Sequence, residues 1–297
     1  MSRTISFHFV DVFAIEPLTG NPLPVVDGGE LPVPLMRRIA REFNQPETTF
    51  VMRSARDDAD WKLRSFTAKG VEVFGPGGHN SLGAWWWLAV AGRLDLVEGA
   101  TVLRQEIGEN SYPVTIWQSG GALDRIVMTQ GAPVWGRQLT DVGALAESLG
   151  LTVSDIAVST VPCQVVSTGA AHLMVPIRDR DVVNRIAPDA AKLAALLEAA
   201  DGEGCYVFSL DPRLPGTVAY ARFFGPRVGI PEDPATGTAA GPLAAHLVRH
   251  GKAKGGMLRI EQGTAFGRTS IITAEVDGDT VSIAGRGLVV ASGELFV

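Results

Sequence analysis

Two segments of this chain share one grammar. Phe74-Gly-Pro-Gly-Gly-His-Asn-Ser-Leu-Gly83 and Ile230-Pro-Glu-Asp-Pro-Ala-Thr-Gly-Thr-Ala-Ala-Gly241 each run from a strand-like stretch, through a glycine-rich turn, into a helix-forming run. The helices they open end alike, at Gly92-Arg93 and Gly251-Lys252. Glycines before a helix let the backbone approach a ligand, and the first-turn amides lack intrahelical acceptors. Two copies of one half-site predict two related lobes, residues 1–125 and 126–286, with a cleft between them. That cleft is where chemistry is expected.

The bulk properties narrow the partners. A length of 297 residues suits one large domain or two ordinary ones, and 46% hydrophobic residues supply a core. With 26 basic against 32 acidic residues and a net charge of −6, nothing favours nucleic acid or an anionic membrane. Cys163 and Cys205 have no neighbour at a metal or redox spacing, which suits a reducing compartment. The N-terminus begins with strand-like residues 5–12 rather than a signal peptide, and the apolar run at 82–90 is too short to span a bilayer. The expectation is a soluble, cytoplasmic protein with a small-molecule substrate.

Periodicity places the elements. Residues 6–13 read as a strand, 17–24 as a turn cluster around Thr-Gly-Asn-Pro, and 31–44 as an amphipathic helix with Leu35, Ile39, Ala40 and Phe43 inward. Residues 47–51, 61–66 and 71–74 return to strand. The helix expected at 82–91 carries Trp85, Trp86 and Trp87 in a row. Consecutive residues sit about 100° apart on a helix, so these rings point in different directions and the helix must be buried all round. Residues 102–118 and 125–129 read as strands with Gly120-Gly121 as the turn. In the second lobe, helices are expected at 142–149, 190–200 and 239–250. Strands are expected there at 161–167, 172–175, 205–209, 220–224, 258–262, 270–276 and 280–284, with Asp277-Gly278 as a hairpin turn.

Three places carry candidate chemistry. Glu47 stands where a helix pattern ends and a strand begins; in a dry cleft such a carboxyl suits general acid/base work, and on the surface it is a solvated strand end. His79, among Gly77, Gly78 and Asn80 before a helix, suits an anion-binding turn or a simple helix cap. Asp233, with Glu232 beside it, suits a substrate contact or contact with His79 across the cleft, or a turn aspartate binding backbone amides; Thr236 or Thr238 can cap the helix that follows. His246 and His250 have a spacing that can bind metal, but no third ligand is near, so no metal is expected. His8 and His172 fall within strands and read as structural.

Taken together these segments resemble the phenazine-biosynthesis PhzF-like isomerase family. The resemblance rests on Asp11-Val-Phe13 with Gly20-Asn-Pro22, Glu47-Thr-Thr-Phe-Val51, and Gly78-His79 with Gly83. It continues through Arg222-Phe-Phe224, Glu232-Asp-Pro-Ala-Thr-Gly-Thr238, and Gln262-Gly263 before Gly267-Arg268, spanning almost the whole chain. It implies an α+β, diaminopimelate-epimerase-like fold of two pseudo-symmetric lobes. Each lobe is a curled, largely antiparallel sheet around a central helix, with residues 287–297 returning to the first. It also implies a homodimer and a biosynthetic isomerase that works without cofactor. In that pattern Glu47 moves a proton on carbon, His79 and Asp233 orient substrate or stabilise charge, and the amides near Gly78, Asn80, Gly237 and Thr238 hold a carboxylate. Related epimerases use a cysteine in each glycine loop, and neither loop here has one. An epimerase or dehydratase using the same Glu47, and a non-catalytic binding protein on this fold, remain as alternatives. The sequence departs from the family at Pro46, usually serine, at Pro76-Gly77, Asn80-Ser81 and Thr269; loss of the serine hydroxyl points to a substrate other than the phenazine precursor.

Overall fold

The computed structural model describes residues 3–29, 31–75 and 77–297. The chain forms two compact units, one of Met1–Thr129 with Ala284–Val297 and one of Gln130–Ile283. The first unit holds β1 (Thr4–Val12), β2 (Asn21–Asp27), helix α1 (Val33–Phe43), β3 (Glu47–Arg53), β4 (Trp61–Thr67) and β5 (Glu72–Val73). Helix α2 (His79–Val90), β6 (Gly99–Ile107), β7 (Asn110–Ser119) and β8 (Ala122–Thr129) complete its N-terminal part. The second unit holds β9 (Val134–Leu139), α3 (Gly143–Ser148), β10 (Cys163–Ser167), β11 (Ala171–Pro176), α4 (Arg180–Asn184) and α5 (Ala190–Ala199). It continues with β12 (Gly204–Ser209), β13 (Ala219–Gly225), β14 (Ile230–Asp233), α6 (Gly237–Arg249), β15 (Gly256–Gln262) and β16 (Ser270–Asp277). The chain leaves it along β17 (Thr280–Gly285), and β18 (Gly287–Phe296) belongs to the first unit.

The two units repeat one pairing scheme. In the first, β1 lies antiparallel to β18 and β2, β2 parallel to β3, β3 antiparallel to β4, β4 antiparallel to β5 and parallel to β6, and β6 antiparallel to β7. In the second, β10 lies antiparallel to β9 and β11, β11 parallel to β12, β12 antiparallel to β13, β13 antiparallel to β14 and parallel to β15, and β15 antiparallel to β16. Helices α2 and α6 occupy the same place in the scheme, each between its short strand and the next long one.

Helix α2 is buried from His79 through Leu88, as the tryptophan run requires. It packs on β1, β2, β3, β8 and β18 of its own unit, and the Trp85 indole nitrogen donates to Gln105 Oε1 at 3.0 Å. Helix α1 buries Met36, Ile39 and Ala40 against Phe50 and Phe66, leaving its other face to solvent. In the second unit, α6 packs on β10, β11 and β16. Among the described residues no helix is long and apolar enough to cross a membrane.

Several expectations are corrected. Residues 102–118 do not form one strand: Gly108, in the left-handed region at φ 61°, turns the chain so that Glu106 and Ser111 pair across a tight hairpin. The turn at 17–24 stops at Gly20, and Asn21 to Pro24 already pair with β1. Both central helices begin earlier than their apolar runs, at His79 and Gly237, because small and polar residues fill the first turn. Strand β14 and helix α4 are too short for a period to show, and in β9 Gly136 and Arg137 break any apolar alternation.

Gly83 lets α2 lie directly on the sheet: a Cβ there would come within 2.6 Å of the Leu23 side chain and 2.7 Å of Val12. Gly83→Ala is expected to destabilise the protein by about 1–3 kcal/mol through overpacking, read as a lower urea midpoint with unchanged slope. An unchanged midpoint would show that the sheet has slack at this contact.

Candidate active site

Glu47 is the first residue of β3, paired across to Thr67 on β4, and its side chain keeps 16% of its exposure. His79 is the first residue of α2, with Gly78 in extended conformation before it. The ring's Nδ1 lies 3.6 Å from Glu47 Oε2. That is too long for a formed hydrogen bond, yet close enough to become one when a ligand tightens the site. Burial drives the His79 pKa down to about 3, so the contact joins a neutral imidazole to a carboxyl rather than making an ion pair. The positive end of the helix opposes protonation as well. Among the described residues His79 Nε2 has no hydrogen-bond partner.

A hydroxyl-amide cluster fixes this pair. Asn80 Nδ2 donates to Ser65 Oγ at 3.1 Å on β4, Ser65 and Thr49 share a 2.9 Å hydrogen bond, and Thr49 Oγ1 reaches the Asn80 carbonyl at 3.4 Å. The first turn of α2 is thereby tied to the strand that carries Glu47. The Asn80 side-chain nitrogen is committed to this cluster. Gly78 is tight for the same reason: a Cβ would lie 2.5 Å from Asn80 Oδ1. Pro76 lies outside the described residues, so its departure from the family pattern has no structural account.

Within the second unit, Asp233 ends β14 and is buried. Its Oδ2 accepts from the Thr236 hydroxyl at 2.5 Å. Thr236 is the residue before α6, but this bond takes its hydroxyl and it makes no side-chain cap. Gln262 locks the turn: its Nε2 donates to the Asp233 carbonyl at 2.8 Å and to Thr236 Oγ1 at 3.1 Å. Its Oε1 accepts from the Thr236 amide at 3.1 Å and the Tyr206 hydroxyl at 2.8 Å. Glu232 has a different task. Arg222 grips it with two bonds of 2.7 and 2.8 Å and donates to the carbonyls of Val183 and Ile186.

At the start of α6, Gln130 Nε2 donates to the Gly237 carbonyl at 3.1 Å, and the Thr238 hydroxyl lies 3.4 Å from His172 Nε2. His172 is buried, edge-on to Phe223 at 5.0 Å, and burial lowers its pKa to about 4. Read from sequence as a structural strand residue, it meets the helix start expected to bind substrate. Its separation from Thr238 by many residues left no local signal, and Gln130 was equally silent. His8 does read correctly, stacked on Trp87 at 4.9 Å and bonded to Ser292. His246 bonds to the Pro162 carbonyl at 3.0 Å and meets His250 edge-on. Among the described residues no three His, Cys, Asp or Glu gather as a metal site. Burial raises both thiols, Cys163 to about 12 and Cys205 further, so neither supplies a thiolate base near neutral pH.

The structure thus joins Glu47 to His79 within one unit, and Asp233 to the start of α6 within the other. The family profile of the phenazine biosynthesis-like proteins (PhzC-PhzF) matches residues 10–293. The chain belongs to the PhzF family. A trans-2,3-dihydro-3-hydroxyanthranilate isomerase of Pseudomonas fluorescens is 32% identical over 98% of this chain and 99% of its own. The crystal structure of a PhzF-family protein of Bacillus anthracis superposes with a TM-score of 0.88 at 28% identity, covering 99% of this chain and 100% of the other. A hydroxyproline epimerase of Agrobacterium vitis, at 15% identity and a TM-score of 0.66 over 99% of this chain and 93% of its own, shares the fold. This PhzF-family chain therefore has the α+β, diaminopimelate-epimerase-like architecture, and its named relatives make it an enzyme of the isomerase class.

The buried imidazoles set a pH dependence. His79, His172 and His246 are held by burial at about 3, 4 and 4, against an ordinary histidine value of 6.5. Between those values the unfolded chain binds more protons than the folded one. Stability is therefore full above about pH 6.5 and falls as pH drops, by up to about 1.4 kcal/mol per pH unit for each histidine. Urea unfolding between pH 7 and 5 is expected to show this loss, and a level profile would contradict the burial of these rings.

Proposed function

We propose that this PhzF-family isomerase shifts a proton within a small unsaturated or cyclic metabolite that bears a carboxylate, with Glu47 as its general acid/base. The observation that carries the reading is the 3.6 Å approach of Glu47 to an imidazole that burial keeps neutral. A cationic histidine would hold the carboxyl ionised and weaken it as a base. A neutral one leaves it able to take a proton from carbon and return it. His79 Nε2 is then the group that meets a polar atom of the substrate.

In the same proposal Asp233 orients the substrate, and the amides at Gly78, Asn80, Gly237 and Thr238 hold its carboxylate, where first-turn amides favour negative charge. The Pseudomonas relative's name, which describes a partly reduced ring acid, supports the substrate class. Pro46, without hydroxyl or amide hydrogen beside Glu47, supports a substrate other than that one. A cytoplasmic homodimer working without a cofactor belongs to the same reading and rests on the family resemblance; light scattering at 31.5 kDa would refute the dimer.

The test is deuterium uptake at carbon, followed by mass spectrometry in D2O with a panel of cyclic and unsaturated carboxylic acids. Wild type is expected to label at least one compound. Glu47→Gln should slow that labelling by roughly 10²–10⁴-fold while still binding the compound. Labelling that proceeds equally in both proteins would remove Glu47 from the chemistry.

A further inference from the structure

A cavity of about 300 Å³ lies in the second unit, lined by Arg180, Asn184, Arg213, Tyr220, Thr264 and Ala265. None of these residues belongs to the proposed catalytic set. The space equals roughly ten waters at ~30 Å³ each, enough for a small organic ion.

Its lining holds two cations and no acid. Arg180 opens α4, where its backbone amide donates to Asp211 Oδ2 at 3.1 Å, and its guanidinium has no ion pair among the described residues. Arg213 is matched only in part. Its Nε stands 3.6 Å from Oε1 of Glu261, a fully buried carboxylate. Glu261 already accepts from the Arg213 amide at 3.0 Å, the Leu214 amide at 2.9 Å and the Thr264 hydroxyl at 2.8 Å. This contact uses the inner edge of the guanidinium and leaves its two terminal nitrogens for another acceptor. The Tyr220 hydroxyl donates to Asn184 Oδ1 at 2.6 Å, which turns the amide so that its NH2 end remains a donor. Asp211, the nearby acid in sequence, has one oxygen taken by the Arg180 amide.

Two planar forks and an amide donor around one cavity match an anion with several oxygens, because each fork pairs two oxygens at once. We propose that this cavity is a binding site for a small oxygen dianion, a phosphate group or a dicarboxylate, separate from the residues proposed for catalysis.

The experiment is calorimetric titration of the full-length protein with methyl phosphate and, separately, succinate, at ionic strength held constant with sodium chloride. One saturable site per chain is expected. Arg180→Gln, which breaks no ion pair, should weaken it at least tenfold with an unchanged melting temperature. Arg213→Lys keeps a charge beside Glu261 but loses the fork, and should weaken binding as well. Glu47→Gln should bind as wild type does. Tighter binding of methyl phosphate identifies a phosphate occupant, and tighter binding of succinate a dicarboxylate. Failure of both probes to bind, or binding indifferent to Arg180→Gln, overturns the site.

Discussion

A helix that is apolar on every side has no face to give to water, and in the first unit this constraint reaches the chemistry. Three successive tryptophans force α2 inside the sheet, where even its first residue is buried. Were the same turn on the surface, the His79 ring would titrate near its ordinary value and carry charge in mildly acidic conditions. Inside, it stays neutral down to about pH 3. Packing along the body of α2 thus decides the charge of the group beside Glu47. The Asn80–Ser65–Thr49 cluster adds the geometry, since it fastens that first turn to the two strands on which Glu47 is registered.

The two units share a frame and fill it differently. Glu47 begins β3, and the strand in the same place in the second unit, β12, begins with Gly204. No side chain fits there, because the Phe223 ring occupies the volume a Cβ would need and His172 Nδ1 is 3.2 Å from it. At the helix starts, a carboxyl faces an imidazole in one unit and a hydroxyl faces an imidazole in the other. Sheet pairing is set by backbone hydrogen bonds and tolerates such exchanges, so an architecture can be duplicated while its chemistry is not.

How much of this could be read beforehand follows the range of each interaction. Helix α1 was legible because Leu35, Ile39, Ala40 and Phe43 repeat at helical spacing, and the burial of α2 because no amphipathic face can be drawn through Trp85, Trp86 and Trp87. Motif order singled out Glu47, His79 and Asp233, and in the fold Glu47 meets His79 within one unit. The hairpin at Gly108 was not, because apolar and polar residues alternate smoothly on both sides of it. His172, Gln130 and Gln262 act on residues far away in sequence, and no local pattern announces a contact made only by folding. Glu232 shows the converse: beside Asp233 it looked like one acidic pair, yet alternate strand residues face opposite ways and Arg222 claims it.

The pairing of β1 with β18 ties the first strand to the last along its whole length, from Thr4 opposite Phe296 to Val12 opposite Gly287. On a ribosome this imposes an order. The second unit is continuous in sequence and can complete its own pairings before the final strand is made. The first unit must wait, with one edge of β1 unpaired, while nearly the entire chain is synthesised, on the order of 15–60 s at common elongation rates of ~5–20 residues per second. An open strand edge over that interval invites association with other nascent chains. The first unit is therefore finished after the second, although most of its residues are made before it.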